Sequence, residues 1–332
     1  MRNTKPTIAD VAKHAGVSTA TVSRVTNNSS VSENTRKRVL RSIEQLNYTV
    51  NSDGKALRSK KTNRILLSLA NISNPFYTTL AENIESTLGK NGYHILLSAS
   101  ANTEEEIHEQ IDKAASGFVD GFILGPINFS NKTIAKLKKL NLPTVVNGPL
   151  ISGTKIDSIG TSEYHGMREA IFFLLAKGRK KFLLLNGPAE SIPGRNRNFF
   201  FQKIMSEIEL KSIKYEIRNA TAFTFEQAYA EVFSMPTIGN FDAVICGNDL
   251  MAAAVINYLR EINRTIPGDT SVLGIDNDDF CNFMYPKISS IDLCVPEMGE
   301  LAANVLLQRL KDPKHKSIER LTKSRFVKRE ST

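Results

Sequence analysis

Apolar positions in the first fifty residues recur at helical spacing, in three short bursts. Ile8, Val11, Ala12 and Ala15 fall on one face of a helix. Thr7 stands at the N-cap position with Asp10 three residues on, close to a capping box. Gly16 predicts a corner and Ser18 a second cap. Val22 and Val25 then predict the buried side of a second helix, which leaves Thr19, Ala20, Ser23 and Arg24 facing elsewhere. A third helix is predicted from Ser32, with Val39, Ile43 and Leu46 aligned. Three small helices joined this way form a helix-turn-helix unit, whose second helix fits a DNA major groove.

From Asn63 the pattern changes to short aliphatic runs alternating with amphipathic stretches. Ile65–Ala70, His94–Ser98, Val119–Leu124 and Pro143–Val146 predict strands. Helices are predicted between them, at Thr79–Leu88, Thr103–Ser116 and Ile134–Leu140. A second series begins near residue 158. Its helices are His165–Ala176, Asn198–Glu209, Phe225–Phe233 and Leu250–Asn263, and its strands are Lys181–Asn186, Ala243–Cys246 and Ser271–Ile275. Ser289–Asp292 reads as a crossover and Met298–Leu310 as a late amphipathic helix. Strand and helix in alternation imply α/β architecture with doubly wound parallel sheets. Two such sets imply two lobes and a cleft at the carboxyl ends of their strands.

Charge separates these regions. The 332 residues hold 43 Lys plus Arg against 34 Asp plus Glu, a formal net charge of +9. Residues 1–61 contribute 12 basic and 4 acidic side chains, whereas the remainder carries 31 against 30. A cationic helical head on a charge-balanced body points to phosphate contacts by the head. No apolar run approaches the ~20 residues that cross a bilayer, and MRNTKPTIADV holds no hydrophobic signal segment. A cytoplasmic protein is the expectation. Cys246, Cys281 and Cys294 match no metal spacing and read as reduced thiols. No glycine-rich phosphate loop, nucleophile elbow or metal-spaced histidine pair stands in the chain, so no catalytic residue, metal or cofactor is predicted.

The phrases TIADVAKHAGVSTATVSRVTN, VSENTRKRVLRSIEQLNY, ISNPF, CGNDLMAAAV, IPGDTSVLGIDN and EMGELA occur in this order. Together they resemble the LacI/GalR family of bacterial transcription regulators over nearly the whole chain. The resemblance implies a small all-α DNA-binding head at 1–48 and a hinge at 49–62. It implies a two-lobed, periplasmic-binding-protein-like core, with 63–160 plus 290–320 in the N-terminal lobe and 161–289 plus 321–332 in the C-terminal lobe. It further implies a homodimer on near-palindromic double-stranded operator DNA, a small-molecule effector, and repression of transcription.

Residue roles follow from the same resemblance. Thr19, Ala20 and Arg24 match base-reading positions; an arginine offers paired donors to guanine. Thr7, Ser18, Thr21, Ser23 and Asn27 complete the expected DNA-binding set, the hydroxyls suiting phosphate. Ala56 and Leu57 match the hinge, Leu57 at the position that wedges into the minor groove. Gly54 departs from the alanine of many members and would weaken a hinge helix. In the cleft, Phe76 and Tyr77 match stacking aromatics, Arg197 a clasp for a hydroxyl or carboxylate, and Asp276 a hydroxyl acceptor. Asn248 serves either as a ligand contact or as a helix cap. Phe200 replaces a usual glycine, and Ser162-Glu163 replaces a frequent Asp-Asn. The expected effector is a sugar or sugar derivative, neutral or acidic, with nucleobases, nucleosides and other small metabolites left open.

Overall fold

The computed structural model describes residues 6–27, 29–49, 61–99, 103–125, 130–148, 154, 156–208 and 212–332. The chain divides into two units, Met1–Thr62 and Asn63–Thr332.

The first unit contains α1 (Ile8–Ala15), α2 (Thr19–Thr26) and α3 (Glu33–Gln45). Each start is capped as its sequence directs. The Thr7 side chain and Asp10 form a reciprocal capping box, with the Thr7 amide donating to Asp10 Oδ2 at 2.8 Å. Ser18 and Ser32 accept from the amides of Thr21 and Thr35. Gly16 ends α1 at φ 63°, a left-handed conformation that glycine takes without a Cβ clash. Val11, Ala12, Ala15, Val22, Val25 and Val39 form the buried centre, with Ile8, Ile43, Leu46 and Tyr48 packed against it. Each buried valine contributes on the order of 1.5 kcal/mol or more, so burial outweighs any single cap. Gly54, Ala56 and Leu57, and with them the expected hinge contacts, lie outside the described residues.

The second unit holds two six-stranded sheets. The first contains β1 (Arg64–Ser68), β2 (His94–Ser98), β3 (Gly121–Leu124), β4 (Thr144–Asn147), β5 (Asp157–Ser162) and β11 (Glu319–Lys323), in the order β11-β5-β4-β3-β1-β2. All its pairings are parallel. The second contains β6 (Lys181–Asn186), β7 (Lys214–Asn219), β8 (Ala243–Cys246), β9 (Ser271–Asp276), β10 (Ser289–Asp292) and β12 (Arg325–Val327), ordered β12-β10-β9-β8-β6-β7. Its only antiparallel pairing among the described residues joins β10 to β12. Helices α4 (Pro75–Gly89), α5 (Glu104–Ala115), α6 (Asn131–Lys139) and α11 (Val295–Lys311) belong to the first lobe. The second lobe holds α7 (Tyr164–Ala176), α8 (Ile192–Ser206), α9 (Phe225–Phe233) and α10 (Asp249–Glu261).

The chain passes between lobes three times: after β5, between β10 and α11, and between β11 and β12. These passages are tied together. Ser324 Oγ donates to the Ser162 carbonyl at 2.7 Å and accepts from the Gly166 amide at 3.0 Å. Asp292 accepts from Arg325 at 2.8 Å and from the Cys294 amide at 2.8 Å.

Several expectations are corrected. Ser289–Asp292 is a strand of the second sheet rather than a crossover, so Ser290–Asp292 do not pair in the first lobe. Leu321–Lys323, expected in the second lobe, pair with β5 of the first. Strand pairing, invisible in a single segment, decides both. Helix α4 starts at Pro75 rather than Thr79, because Asn74 caps it and proline suits the first turn. Likewise α8 starts at Ile192, capped by Ser191. The strands β5, β7, β11 and β12 have no counterpart in the hydrophobic pattern; β7, β11 and β12 lie at sheet edges, where polar residues such as Lys214, Arg320 and Arg325 face solvent.

Candidate functional site

On the first unit, α2 presents its polar side outward. Ser18, Thr19, Ala20, Arg24 and Asn27 are exposed, while Thr21 and Ser23 are half-buried. Ser18 Oγ lies 3.0 Å from Thr21 Oγ1, and Asn27 Nδ2 donates to Ser23 Oγ at 3.3 Å. The Arg24 side chain makes no hydrogen bond or ion pair among the described residues, so its guanidinium is available to a partner. Thr7 Oγ1 is engaged with Asp10 at 2.7 Å; this hydrogen bond foremost holds the Asp10 carboxyl below the usual range. Thr7 thus anchors α1, with only its remaining lone pair and exposure left for DNA.

The second site gathers groups from both lobes at the carboxyl ends of the sheets. Phe76 and Tyr77 start α4, and their rings meet edge-to-face at 5.2 Å. Tyr77 is held neutral, its hydroxyl pushed up to about 12 by burial and then by the negative charge of Asp276. Asp276 ends β9 and Arg197 projects from α8; both are buried. Arg197 hydrogen-bonds two groups and has two more beside it. Its Nε and one terminal nitrogen donate to both oxygens of Glu163, at 2.7 and 3.1 Å. The other terminal nitrogen donates to the Gly247 carbonyl. The Asp276 carboxylate lies 4.0 Å away, and the Phe223 ring lies under the guanidinium at 5.2 Å. Burial lifts the Asp276 carboxyl well above the usual range, against the pull of Arg197.

Asn248 does not open into this cluster as a free ligand group. Its Oδ1 accepts from the Met251 amide at 2.9 Å, capping α10, and its Nδ2 donates to the Phe223 carbonyl at 3.1 Å. It holds the loop that carries Phe223. Phe200 is likewise set apart from Arg197 in its ring contacts: it meets Tyr164 and Phe199, each at 5.8 Å.

Glu163 and Phe223 are the residues that reading the sequence missed. In the sequence Glu163 is only a departure from a usual pattern; its bidentate pairing with a residue 34 positions away has no local signal. Phe223 has one trace. A Cβ at Gly187 would fall 2.5 Å from the Phe223 ring, so the glycine that follows β6 makes room for it. Two further polar groups lie at strand ends. Among the described residues, Ser68 Oγ at β1 and both amide atoms of Asn147 at β4 are buried without a hydrogen-bond partner.

Below Asp276 lies an acidic layer. Asp249 accepts from Ser290 Oγ at 2.6 Å and from the Asp278 amide at 2.8 Å. Burial raises its carboxyl to about 6. Burial, with Asp249 beside it, raises Asp278 to about 7. These contacts pin the 276–278 turn, where Asp276 sits at φ 112° and Asn277 at φ 63°.

A three-helix head with an exposed polar face on α2, followed by a two-lobed α/β core, is the build of a DNA-binding regulator. The comparisons agree. Residues 7–51 match the bacterial regulatory proteins of the lacI family, and residues 171–332 match the periplasmic binding protein-like domain. The HTH-type transcriptional repressor PurR of Proteus mirabilis is 30% identical, covering 92% of this chain and 90% of that one. A LacI family transcriptional regulator from Enterococcus faecium, solved with bound ribose, is 27% identical at a TM-score of 0.69, covering 81% of this chain and 98% of that one. The lac repressor dimer bound to operator and an anti-inducer shares the fold at a TM-score of 0.87 and 24% identity, with 99% of each chain covered. The chain belongs to the lacI family of bacterial transcriptional regulators, and its head is a DNA-binding domain. Among the described residues, no helix is long and apolar enough to cross a membrane.

Proposed function

We propose that this regulator is a cytoplasmic repressor. It binds a near-palindromic operator as a homodimer and responds to a sugar held in the interlobe cleft. The observation that carries the reading is the convergence of Tyr77 from one lobe with Arg197 and Asp276 from the other. A ligand touching both sides has a different affinity for open and closed lobes, which is what couples a cleft to a distant DNA site.

The roles divide by chemistry. Asp276 accepts from sugar hydroxyls, the remaining N–H groups of Arg197 donate, and the rings of Phe76, Tyr77 and Phe223 cover apolar ring faces. Asn147 adds donor and acceptor capacity. The relative solved with ribose supports a sugar. The cleft binds rather than transforms, since Arg197 is locked by Glu163 and Gly247. In the head, Arg24 reads guanine, Thr19 and Ala20 touch thymine methyls, and Ser18, Thr21, Ser23, Asn27 and Thr7 contact phosphate or place the helix. Ala56 and Leu57 carry the proposed minor-groove contact.

The test is operator binding, followed by fluorescence anisotropy at fixed salt, with a sugar panel added to the full-length protein. The operator comes from selection among genomic fragments. One sugar is expected to shift operator affinity by about 5- to 150-fold, the usual range of such coupling. Indifference to every sugar rejects the effector assignment. Equal affinity for selected and random fragments rejects specific recognition.

A further inference from the structure

The cleft carries a charge arrangement that narrows the ligand class, and this inference rests on the effector-cleft reading above. A guanidinium has five N–H donors and suits a carboxylate or phosphate through a two-pronged grip. In this chain the grip is already taken. Glu163, itself buried, occupies Nε and one terminal nitrogen in bidentate fashion at 2.7 and 3.1 Å. The Gly247 carbonyl takes a third donor. Two donors are left, and Asp276 lies 4.0 Å from one terminal nitrogen. Of the charges that act most strongly on Asp276, Arg197 is the cation, whereas Asp278, Asp249 and Glu163 act in the opposite sense.

We propose that Glu163 is a specificity-determining residue that closes this cleft to anions: it neutralises Arg197 in advance, so the effector is an uncharged polyhydroxylated molecule rather than a sugar phosphate or sugar acid. An anion entering here meets an arginine whose charge is spent and carboxylates held in a poorly solvated setting. A neutral polyol meets two donors, at least one carboxylate acceptor and aromatic faces. Glu163 acts through Arg197 and is therefore a positioning residue. Its signature is the ratio of neutral to anionic affinity, which a merely structural role would not move.

The experiment uses the full-length protein and matched probes: D-ribose with D-ribose 5-phosphate, D-glucose with D-glucuronate, and adenosine with adenosine monophosphate. Binding is measured by titration calorimetry for the native chain and for Glu163→Gln, with thermal unfolding confirming that the variant is folded. The native chain is expected to bind a neutral member at least about 100-fold more tightly than its anionic partner. In Glu163→Gln that ratio is expected to fall about tenfold or more, because the freed guanidinium gains a prong for anions. A native chain that prefers any anionic member overturns the proposal, and so does an unchanged ratio in the variant. The native ratio decides even where the variant fails to fold. A preference for adenosine over its phosphate with no sugar bound rejects the sugar reading while upholding the charge filter. Binding of no probe by either protein overturns both.

Discussion

In the head, the side chains proposed to read DNA stand on the outside of α2: Thr19, Ala20 and Arg24 are exposed, and the Arg24 guanidinium has no partner among the described residues. In the core, the groups proposed to read the effector lie buried and already engaged with one another, as Arg197 is with Glu163, Gly247 and Phe223. The contrast follows from the ligands. A duplex is large and cannot enter a fold, so its reader projects from a surface and is stabilised by residues on the opposite helix face. A small metabolite can be surrounded, so its reader is assembled inside, where water does not screen the charges. Independence is therefore expected in the head and mutual dependence in the core.

The sharpest way to break this contrast is Arg197→Ala. It leaves Glu163 and Asp276 buried together without their counter-charge, which costs about 3–5 kcal/mol. Urea unfolding of the core is expected to register that loss, together with loss of the effector response. A fully stable core would show that the pairing is dispensable.

Acidity tests the same layer more gently. Asp249 has a folded pKa of about 6, above the ordinary 3.8. Between these values the unfolded chain has released a proton that the folded chain retains, so stability is expected to fall as pH rises through the window. At about 1.36 kcal/mol per unit the loss approaches ~3 kcal/mol, and Asp278 extends it in the same direction towards about 7. Unfolding curves from about pH 4 to pH 8 read the slope, and Asp249→Asn is expected to flatten it. A stability that climbs over this range contradicts the buried acidic layer.

The head offers the complementary case. Arg24→Ala is expected to relax preference at one base position by ~1–3 kcal/mol and to leave core stability and effector affinity alone. Selection of random operators by the variant reads this directly; an unaltered base preference removes Arg24 from the reading set. The smallest effect belongs to Asn248→Ala, which loses a helix cap worth about 1 kcal/mol. Effector affinity is expected to change only through the Phe223 loop. A large affinity loss with no change in stability would make Asn248 a ligand contact instead.

Much of this architecture can be read without coordinates, and the particular elements show why. Thr7 with Asp10, Gly16, Ser18 and Ser32 set the head's helix boundaries through bonds three residues long. Residues 182–185 and 243–246 are buried on both faces of their sheet and appear as unbroken apolar runs. By contrast, the polar strand Glu319–Lys323 carries no pattern of its own and is held by pairing with residues 161 positions earlier. Arg197 and Asp276 were legible through resemblance, but Glu163 and Phe223 were not, because their meaning is a contact and not a type.

By itself the sequence determined the helical head, its exposed reading face, the cationic bias of residues 1–61 and the alternation of strand and helix beyond them. These depend on local hydrogen bonding, on periodicity and on counts of charge, all of which act along the chain. Only the tertiary structure decided which strand closes which sheet, that Asn248 is a cap, and that Arg197 meets the cleft with its charge already answered. Those outcomes depend on groups far apart in sequence being desolvated together, and the strength of their interaction exists only once water has been displaced from between them.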